Sequence, residues 1–404
     1  MISRRDFLRL GLGTAAGVYV GGKLWAGSGG SAFGAVKPAV TLTAPTKDRL
    51  QVLSVRGTHA EIGKAIGGEL GMDTQAFIYE QRKWFQGLKK YARSRDGKAN
   101  LSRMRKAAEK HTPQAMAELT AWSSACGVSM DEMFILNCKN EIDAFSNSQR
   151  GCPGCSSVAL KNEKGIWLLH NEDGHPANEG RMFLLDAKPA GGSAFVSHTY
   201  PGLLSGNASW LNEHGVFMTC NYIPSAKVKA GIPRYFLYRQ AIEARSVEAA
   251  VELYTHPERA FAGHHFIGSM VSRELVSLEF TPDKHSLEKV EGLSWHTNHL
   301  VHKSMAAECQ IDEYITESSA PRYARLAELL GVAKPAEVTP EQIQKVLSDH
   351  ESTPTTICRH APPDPRGMTL GQARFEAGAK PVRPFAAKYI KGFPCEGKWE
   401  SYSL

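Results

Sequence analysis

Several motifs are missing from this 404-residue chain, and each absence removes a class of chemistry. There is no Gly-x-Ser-x-Gly elbow and no Gly-x-x-x-x-Gly-Lys-Ser/Thr loop, which argues against an α/β-hydrolase nucleophile and a Walker-type phosphate cradle. Cys152-Pro153-Gly154-Cys155 has no second Cys-x-x-Cys and no His-x-x-x-His to complete a tetrahedral zinc set. Strand-like residues rather than a helix follow it, which argues against a thioredoxin-like dithiol. These spacings lead us to expect no metal and no cofactor. The longest leader-like apolar stretch, Leu8 to Val20, falls short of the roughly 20 residues that span a bilayer as a helix, so no stable membrane insertion is expected. No fixed-period repeat occurs, and no Pro/Gly/Ser linker interrupts the chain after about Pro45. One folded unit is expected, not a string of domains.

The amino terminus has a different character. Met1-Ile2-Ser3-Arg4-Arg5-Asp6-Phe7-Leu8 pairs two arginines ahead of a Gly/Ala-rich apolar stretch, and a Gly/Ser/Ala segment from Gly27 to Ala35 supplies a cleavage region. Residues 1–35 are therefore expected to be a twin-arginine signal peptide. The implied partner is the twin-arginine translocase, and the implied destination is the periplasm or the exterior. Gly11-Leu12-Gly13 with Gly17 lies inside that segment with no strand before it, so it is not a dinucleotide loop. The remainder, 42% hydrophobic for the chain as a whole, can bury a sizeable core. Eight cysteines in an exported protein permit disulfides, but their spacing is irregular. Cys126, Cys138, Cys220 and Cys309 are expected to be buried thiols. The net charge of +7 includes a basic stretch from Arg82 to Lys98. Phe77, Trp84, Phe85, Leu88 and Tyr91 give that stretch an apolar side, so it reads as a solvated helical face and no nucleic-acid partner is assigned.

Periodicity divides the mature chain. From Glu61 to Ala125 apolar residues recur three to four apart, with breaks at Ser94 to Ala99 and at Pro113, which predicts an all-helical portion. From Cys155 onward, short apolar or alternating runs predict strands near residues 155–160, 166–170, 182–186, 194–198, 216–222, 265–271, 275–280 and 287–290. Turns are expected at Lys161 to Gly165 and at Asn212-Glu213-His214-Gly215. Helices are expected at about 234–256, 321–330 and 339–349. The result is layered α+β, with a mainly helical segment 36–154 and a strand-rich segment 155–404 in one folded unit.

Cys155 is the residue on which the chemistry turns. A thiol is nucleophilic as thiolate, and a mid-chain cysteine carries no base of its own. Cleavage at its own amide nitrogen would supply one, an α-amine with an ordinary pKa near 8. Cys152 also follows a glycine, but Pro153 would start the catalytic strand without a backbone donor. His170, His175, His264, His265, His296, His299 and His360 could serve a Cys/His pair, yet none has a diagnostic spacing to Cys155 and no papain-type cysteine signature is present.

Gly154-Cys155-Ser156-Ser157, Asn171-Glu172-Asp173, His296-Thr297-Asn298-His299 and Thr356-Ile357-Cys358-Arg359 together resemble the acyl-coenzyme A:6-aminopenicillanic acid acyltransferase (isopenicillin N acyltransferase-like) family of cysteine N-terminal-nucleophile enzymes. Gly57-Thr58-His59-Ala60-Glu61-Ile62-Gly63, Gly127-Val128 through Glu141, Asn207, Leu211-Asn212-Glu213, Asn221 and Gly392-Phe393-Pro394 extend the resemblance from about Val52 to the carboxyl end. It implies a four-layer α-β-β-α sandwich and self-cleavage between Gly154 and Cys155. It also implies Cys155 as nucleophile, Asp173 as partner of the new amine, Asn298 as an oxyanion donor and Arg359 as the neighbouring cation. Gly174 stands where the family often has an aromatic residue, and Ser156-Ser157 where threonines are common. The expected activity is amide hydrolysis or acyl transfer on a small-molecule or peptide amide through a thioester on Cys155. A papain-like cysteine peptidase and a non-catalytic periplasmic binding protein of the same fold are the alternatives.

Overall fold

A computed structural model describes residues 39–146, 154–225, 227–309, 313, 315–351, 355–361 and 367–404. The expected signal peptide and Cys152 lie outside these residues. The described chain opens with strands β1 (Val40–Thr43) and β2 (Gln51–Gly57). Helices α1 (His59–Glu69), α2 (Gly71–Glu80), α3 (Arg82–Arg93), α4 (Arg95–His111), α5 (Pro113–Cys126), α6 (Met130–Asn137) and α7 (Lys139–Phe145) follow. Local signals set their limits. Thr58 and Glu61 form a reciprocal capping box on α1, Ser94 caps α4 through the Gly97 N–H, and Pro113 opens α5, where its missing donor costs nothing. The stretch is helical, but the break expected over Ser94 to Ala99 narrows to the cap residue Ser94, and β1 and β2 precede the helices and join a sheet.

The strand-rich part runs β3 (Ser156–Asn162), β4 (Gly165–Gly174), β5 (Phe183–Pro189), β6 (Phe195–Thr199), β7 (Ser209–Asn212) and β8 (Val216–Tyr222). Helices α8 (Arg234–Ala241) and α9 (Val247–Tyr254) come next, then β9 (Gly263–Ser269), β10 (Leu275–Phe280), β11 (His285–Lys289) and β12 (Leu293–His296). Helices α10 (Ala320–Leu330) and α11 (Pro340–Leu347) precede β13 (Met368–Gly378), β14 (Ala386–Lys391) and β15 (Glu400–Ser403). The single helix expected over 234–256 is two. Asn212 Nδ2 donates to the carbonyls of Ile242 and Ala244, both at 2.7 Å, and Ser246 caps α9 through the Ala249 N–H.

The strands form a nine-stranded sheet ordered β1-β2-β5-β6-β7-β8-β9-β10-β11 and a six-stranded sheet ordered β12-β3-β4-β13-β14-β15. Within the two sheets the described strand pairings are antiparallel except β2 with β5. Apolar residues of the two sheets, among them Leu168 and Phe375 from one and Leu211, Phe217 and Phe266 from the other, share one buried cluster. The outer face of the larger sheet packs on α1–α9 through residues such as Leu53, Ile62, Leu119, Trp210 and Phe236. The outer face of the smaller sheet packs Val158, Leu160 and Leu169 against Leu326, Leu330, Ile343 and Leu347 of α10 and α11. Helix, sheet, sheet and helix therefore lie in four layers, and strands covered on both faces read as continuous apolar runs. The short β12 pairs outside β3, with His296 opposite Ser157, so the strand that follows Cys155 is not at the sheet edge. Among the described residues, no helix is long and apolar enough to cross a membrane.

Candidate active site

Gly154 and Cys155 are buried and lead directly into β3. The β3–β4 hairpin, tightened where Asn162 accepts from the Lys164 N–H, sets Ser156 opposite Asn171. Extending that ladder by one residue brings Cys155 across from Glu172. The Cys155 thiol donates to Glu172 Oε2 at 3.4 Å, and the Asp173 backbone donates to the sulfur. Cys155 is buried yet lines a cavity of about 430 Å³, together with Asp173, Tyr200, Asn207, Tyr222, Arg234 and others. Burial pushes its thiol well above the usual range, and the carboxylates of Glu172 and Asp173 push it further. The sulfur is therefore held as a thiol in this setting.

Strand alternation divides the acids of β4. His170 and Glu172 turn toward the larger sheet. Glu172 Oε1 accepts from the Tyr200 hydroxyl at 2.6 Å, and Glu172 Oε2 meets His170 Nε2 at 3.0 Å. His170 Nδ1 faces Ser157 Oγ at 2.8 Å, and that hydroxyl donates to Asn221 Oδ1 of β8 at 2.8 Å, so a buried polar chain ties the two sheets behind the cysteine. Cys155, His170 and Glu172 lie close enough to share a metal ion. Glu172 Oε2 already meets both the thiol and the imidazole, however, and hydrogen bonding accounts for the cluster.

Asp173 turns the other way. Thr369 Oγ1 donates to its Oδ1 at 2.7 Å, and Arg359 Nη1 stands 3.8 Å from its Oδ2. A bulge in β13 between Thr369 and Gly371 sets this register. Arg359 is held by a pair of hydrogen bonds with Thr369, N–H to Oγ1 and carbonyl to N–H, each 2.9 Å. Burial raises the Asp173 carboxyl to about 7 against the pull of the Arg359 and Arg322 guanidiniums and the Thr369 hydroxyl.

Asn298 reaches Cys155 through an intermediary. Its Nδ2 donates to the Tyr222 carbonyl at 2.8 Å, and its Oδ1 accepts from Arg322 Nη2 at 2.8 Å. Arg322 Nη1 in turn donates to the Cys155 carbonyl at 2.8 Å and to Ser156 Oγ at 2.9 Å. Thus Cys155, Asp173, Asn298 and Arg359 do gather at one place, and the fold adds four residues to which the sequence reading gave no role. Glu172 could have been suspected from its place in Asn171-Glu172-Asp173. Tyr200, Arg322 and Arg234 carried no signal, because each reaches the site from a separate element. Arg234 is buried at the cavity wall, where its guanidinium lies over the rings of Tyr222 and Tyr235 at 5.3 and 5.2 Å. Arg234 Nη2 donates to Cys220 Sγ at 3.4 Å, while Nε and Nη1 have no hydrogen-bond partner among the described residues.

Comparison with known proteins gives three findings. The family model for acyl-coenzyme A:6-aminopenicillanic acid acyl-transferase matches residues 160–383, more than half of the chain, a span that contains Asp173, Asn298, Arg322 and Arg359 and begins after Cys155. The chain is 25% identical over 222 residues to the beta-alanyl-dopamine/carcinine hydrolase of Drosophila melanogaster, a match covering 51% of this chain and 57% of that protein. It therefore spans just over half the length of that curated relative. Among solved structures it is similar to a Caenorhabditis elegans N-acylethanolamine-hydrolyzing acid amidase ortholog, with a TM-score of 0.38, 13% identity, and coverage of 55% of this chain and 92% of that one.

Proposed function

We propose, from the premise that this chain belongs to the acyl-coenzyme A:6-aminopenicillanic acid acyl-transferase family, that it is an exported, self-processing N-terminal-cysteine amidohydrolase or acyltransferase. The observation that carries this reading is the setting of Cys155. Its sulfur lines a cavity, two acids flank it, and its own carbonyl is fixed by Arg322.

In the first stage the Cys155 thiol adds to the Gly154 carbonyl. The peptide C–N bond breaks, a thioester forms, and the freed nitrogen takes the thiol proton. Water then hydrolyses the thioester and leaves Gly154 as a carboxylate. In the second stage the new α-amine accepts the proton of the Cys155 thiol, the thiolate attacks a substrate amide, and the departing amine takes that proton. Asp173 holds the α-amine, while Arg322 and Arg359 limit the accumulation of negative charge. The Asn298 amide, steadied by Arg322, is the oxyanion donor in this reading, a role worth a few kcal/mol in a preorganised site.

Hydrolysis is the favoured outcome for the thioester, since the similar Drosophila protein is named a hydrolase and no Walker-type phosphate loop exists in the sequence to hold a coenzyme. Phe77, Trp84, Tyr200, Leu203, Tyr222 and Tyr235 give the cavity wall an apolar side, and charged residues of both signs, such as Lys139, Asp143 and Arg234, line the rest. Arg234 in that wall suits a substrate with an apolar acyl or amine part and an acidic group. Purified full-length protein should split into one fragment ending at Gly154 and another starting at Cys155, as read by amino-terminal sequencing, while Cys155→Ala stays whole. A single uncut band that hydrolyses amides would sink the proposal.

A further inference from the structure

A second cluster of reactive side chains lies at the carboxyl-terminal end, and none of its members lines the Cys155 cavity. His350 follows α11, Cys358 and His360 flank Arg359, and Cys395 lies in the turn after β14. The distances between their ligand atoms are specific. The two Nε2 atoms are 3.2 Å apart, Cys358 Sγ and Cys395 Sγ are 3.7 Å apart, and His360 Nε2 lies 3.6 Å from Cys358 Sγ and 3.4 Å from Cys395 Sγ. A zinc tetrahedron with Zn–S bonds of about 2.3 Å and Zn–N bonds of about 2.0–2.1 Å has S···S, S···N and N···N edges of about 3.8, 3.6 and 3.4 Å. The four edges given above match these closely, and the two from His350 Nε2 to the sulfurs lie within 4.8 Å.

Hydrogen bonding does not account for the same geometry. His360 Nε2 offers one lone pair or one proton, yet it faces three heteroatoms at once. A disulfide between Cys358 and Cys395 would explain the sulfurs and leave the two inward-facing imidazoles unexplained. The cluster is also built from supports outside itself. The His360 ring stacks on Phe393 with centroids 3.7 Å apart, and the Cys358 N–H donates to the Asp349 carbonyl at 3.0 Å, next to His350.

We propose that His350, Cys358, His360 and Cys395 form a structural Cys2His2 zinc site. On binding, the two thiols release their protons, and each imidazole ligates through Nε2 with its proton on Nδ1. Four protein ligands leave no open position for a water, so the ion stabilises without taking part in the chemistry. It ties the end of α11, the segment bearing Arg359 and the turn after β14 to one point. Arg359 sits between two ligands, so the ion also anchors the backbone that presents this guanidinium to Asp173. The spacing His-x7-Cys-x-His followed by a distant cysteine belongs to no common zinc motif and contains neither a paired Cys-x-x-Cys nor a His-x-x-x-His.

The test uses full-length protein purified with a thiol reductant and no chelator. Elemental analysis should find about one zinc per chain in the wild type and in a Cys309→Ser control, and almost none in Cys395→Ser or His350→Ala, both at exposed positions. Cobalt(II) added to the metal-stripped wild type should give the thiolate charge-transfer and tetrahedral ligand-field bands. Its affinity should fall in each variant by more than the roughly 10–100-fold that loss of an outer-shell contact costs. Absence of zinc together with cobalt binding that Cys395→Ser leaves unchanged would overturn the proposal. So would a Cys358–Cys395 disulfide in protein isolated from its own compartment, if that protein bound no zinc after reduction.

Discussion

The protonation of Asp173 gives a test of the site that requires no substrate. Its folded-state carboxyl titrates at about 7, against 3.8 for the unfolded chain, because burial outweighs Arg359, Arg322 and the Thr369 hydrogen bond. Between pH 4 and 7 the folded protein therefore keeps a proton that the unfolded chain has released. The contribution of Asp173 to stability is then largest below pH 4 and falls as pH rises, at up to about 1.4 kcal/mol per unit, before levelling off above 7. Across the window the full effect is roughly 4 kcal/mol. The assay compares Cys155→Ala with Cys155→Ala/Asp173→Asn in urea unfolding from pH 4 to 8. Subtracting the two profiles isolates Asp173, and the stability advantage of the aspartate should shrink by several kcal/mol with rising pH. Infrared difference spectra should show a protonated carboxyl band lost near pH 7 in the first protein and missing from the second. A difference profile flat to within about 0.5 kcal/mol would refute the account of a proton-bearing Asp173. Cleavage should reverse the balance, because an α-ammonium beside the carboxyl favours the carboxylate, so the processed wild type should have its Asp173 band at lower pH.

Three other outcomes are expected. Arg322→Ala in the Cys155→Ala background strands the Cys155 carbonyl, Ser156 Oγ and Asn298 Oδ1 as buried acceptors, and should cost about 3–5 kcal/mol in denaturant unfolding; a loss under about 1 kcal/mol would contradict its bridging role. Arg234→Gln should raise KM for acidic amides by about 10–100-fold and leave neutral ones much less affected, and equal effects on both would remove Arg234 from substrate recognition. Arg4→Lys/Arg5→Lys should retain the protein in the cytoplasm by cell fractionation, and undiminished periplasmic accumulation would point to another export route.

Where burial alone decides an element, the sequence was readable. The runs Val216–Tyr222 and Leu275–Phe280 are strands with the expected limits, since both lie in the interior of the nine-stranded sheet with apolar layers on either face. The Asn162 and Gly215 turns are equally local, and Gly215 takes a φ of 77° that suits glycine. The reading failed where a distant residue decides. No window of residues 234–256 shows that Asn212, from another strand, takes the carbonyls that would have continued α8. The parallel pairing of β2 with β5 across more than a hundred residues, and the cover that β12 gives β3, are likewise products of the assembled sheets.

The site divides on the same principle, and the division explains its electrostatics. Cys155 and Asp173 are neighbours through one hairpin, so residue types and a turn sufficed to pair them. The charges around them come from elsewhere: Arg322 from α10, Arg359 from the segment before β13, Tyr200 from the end of β6, and Arg234 from the start of α8. A thiol and two carboxyls buried together would be costly unless guanidiniums and hydroxyls from outside the hairpin met them. Arg322 meets the backbone of Cys155, Arg359 the carboxyl of Asp173, and Tyr200 the neighbouring Glu172. The hairpin thus supplies the thiol and the acids, and the surrounding layers supply the counter-charges that let those groups stay buried in the folded chain. A single substitution in a partner element, far from Cys155 in sequence, should therefore disturb processing as surely as one beside it.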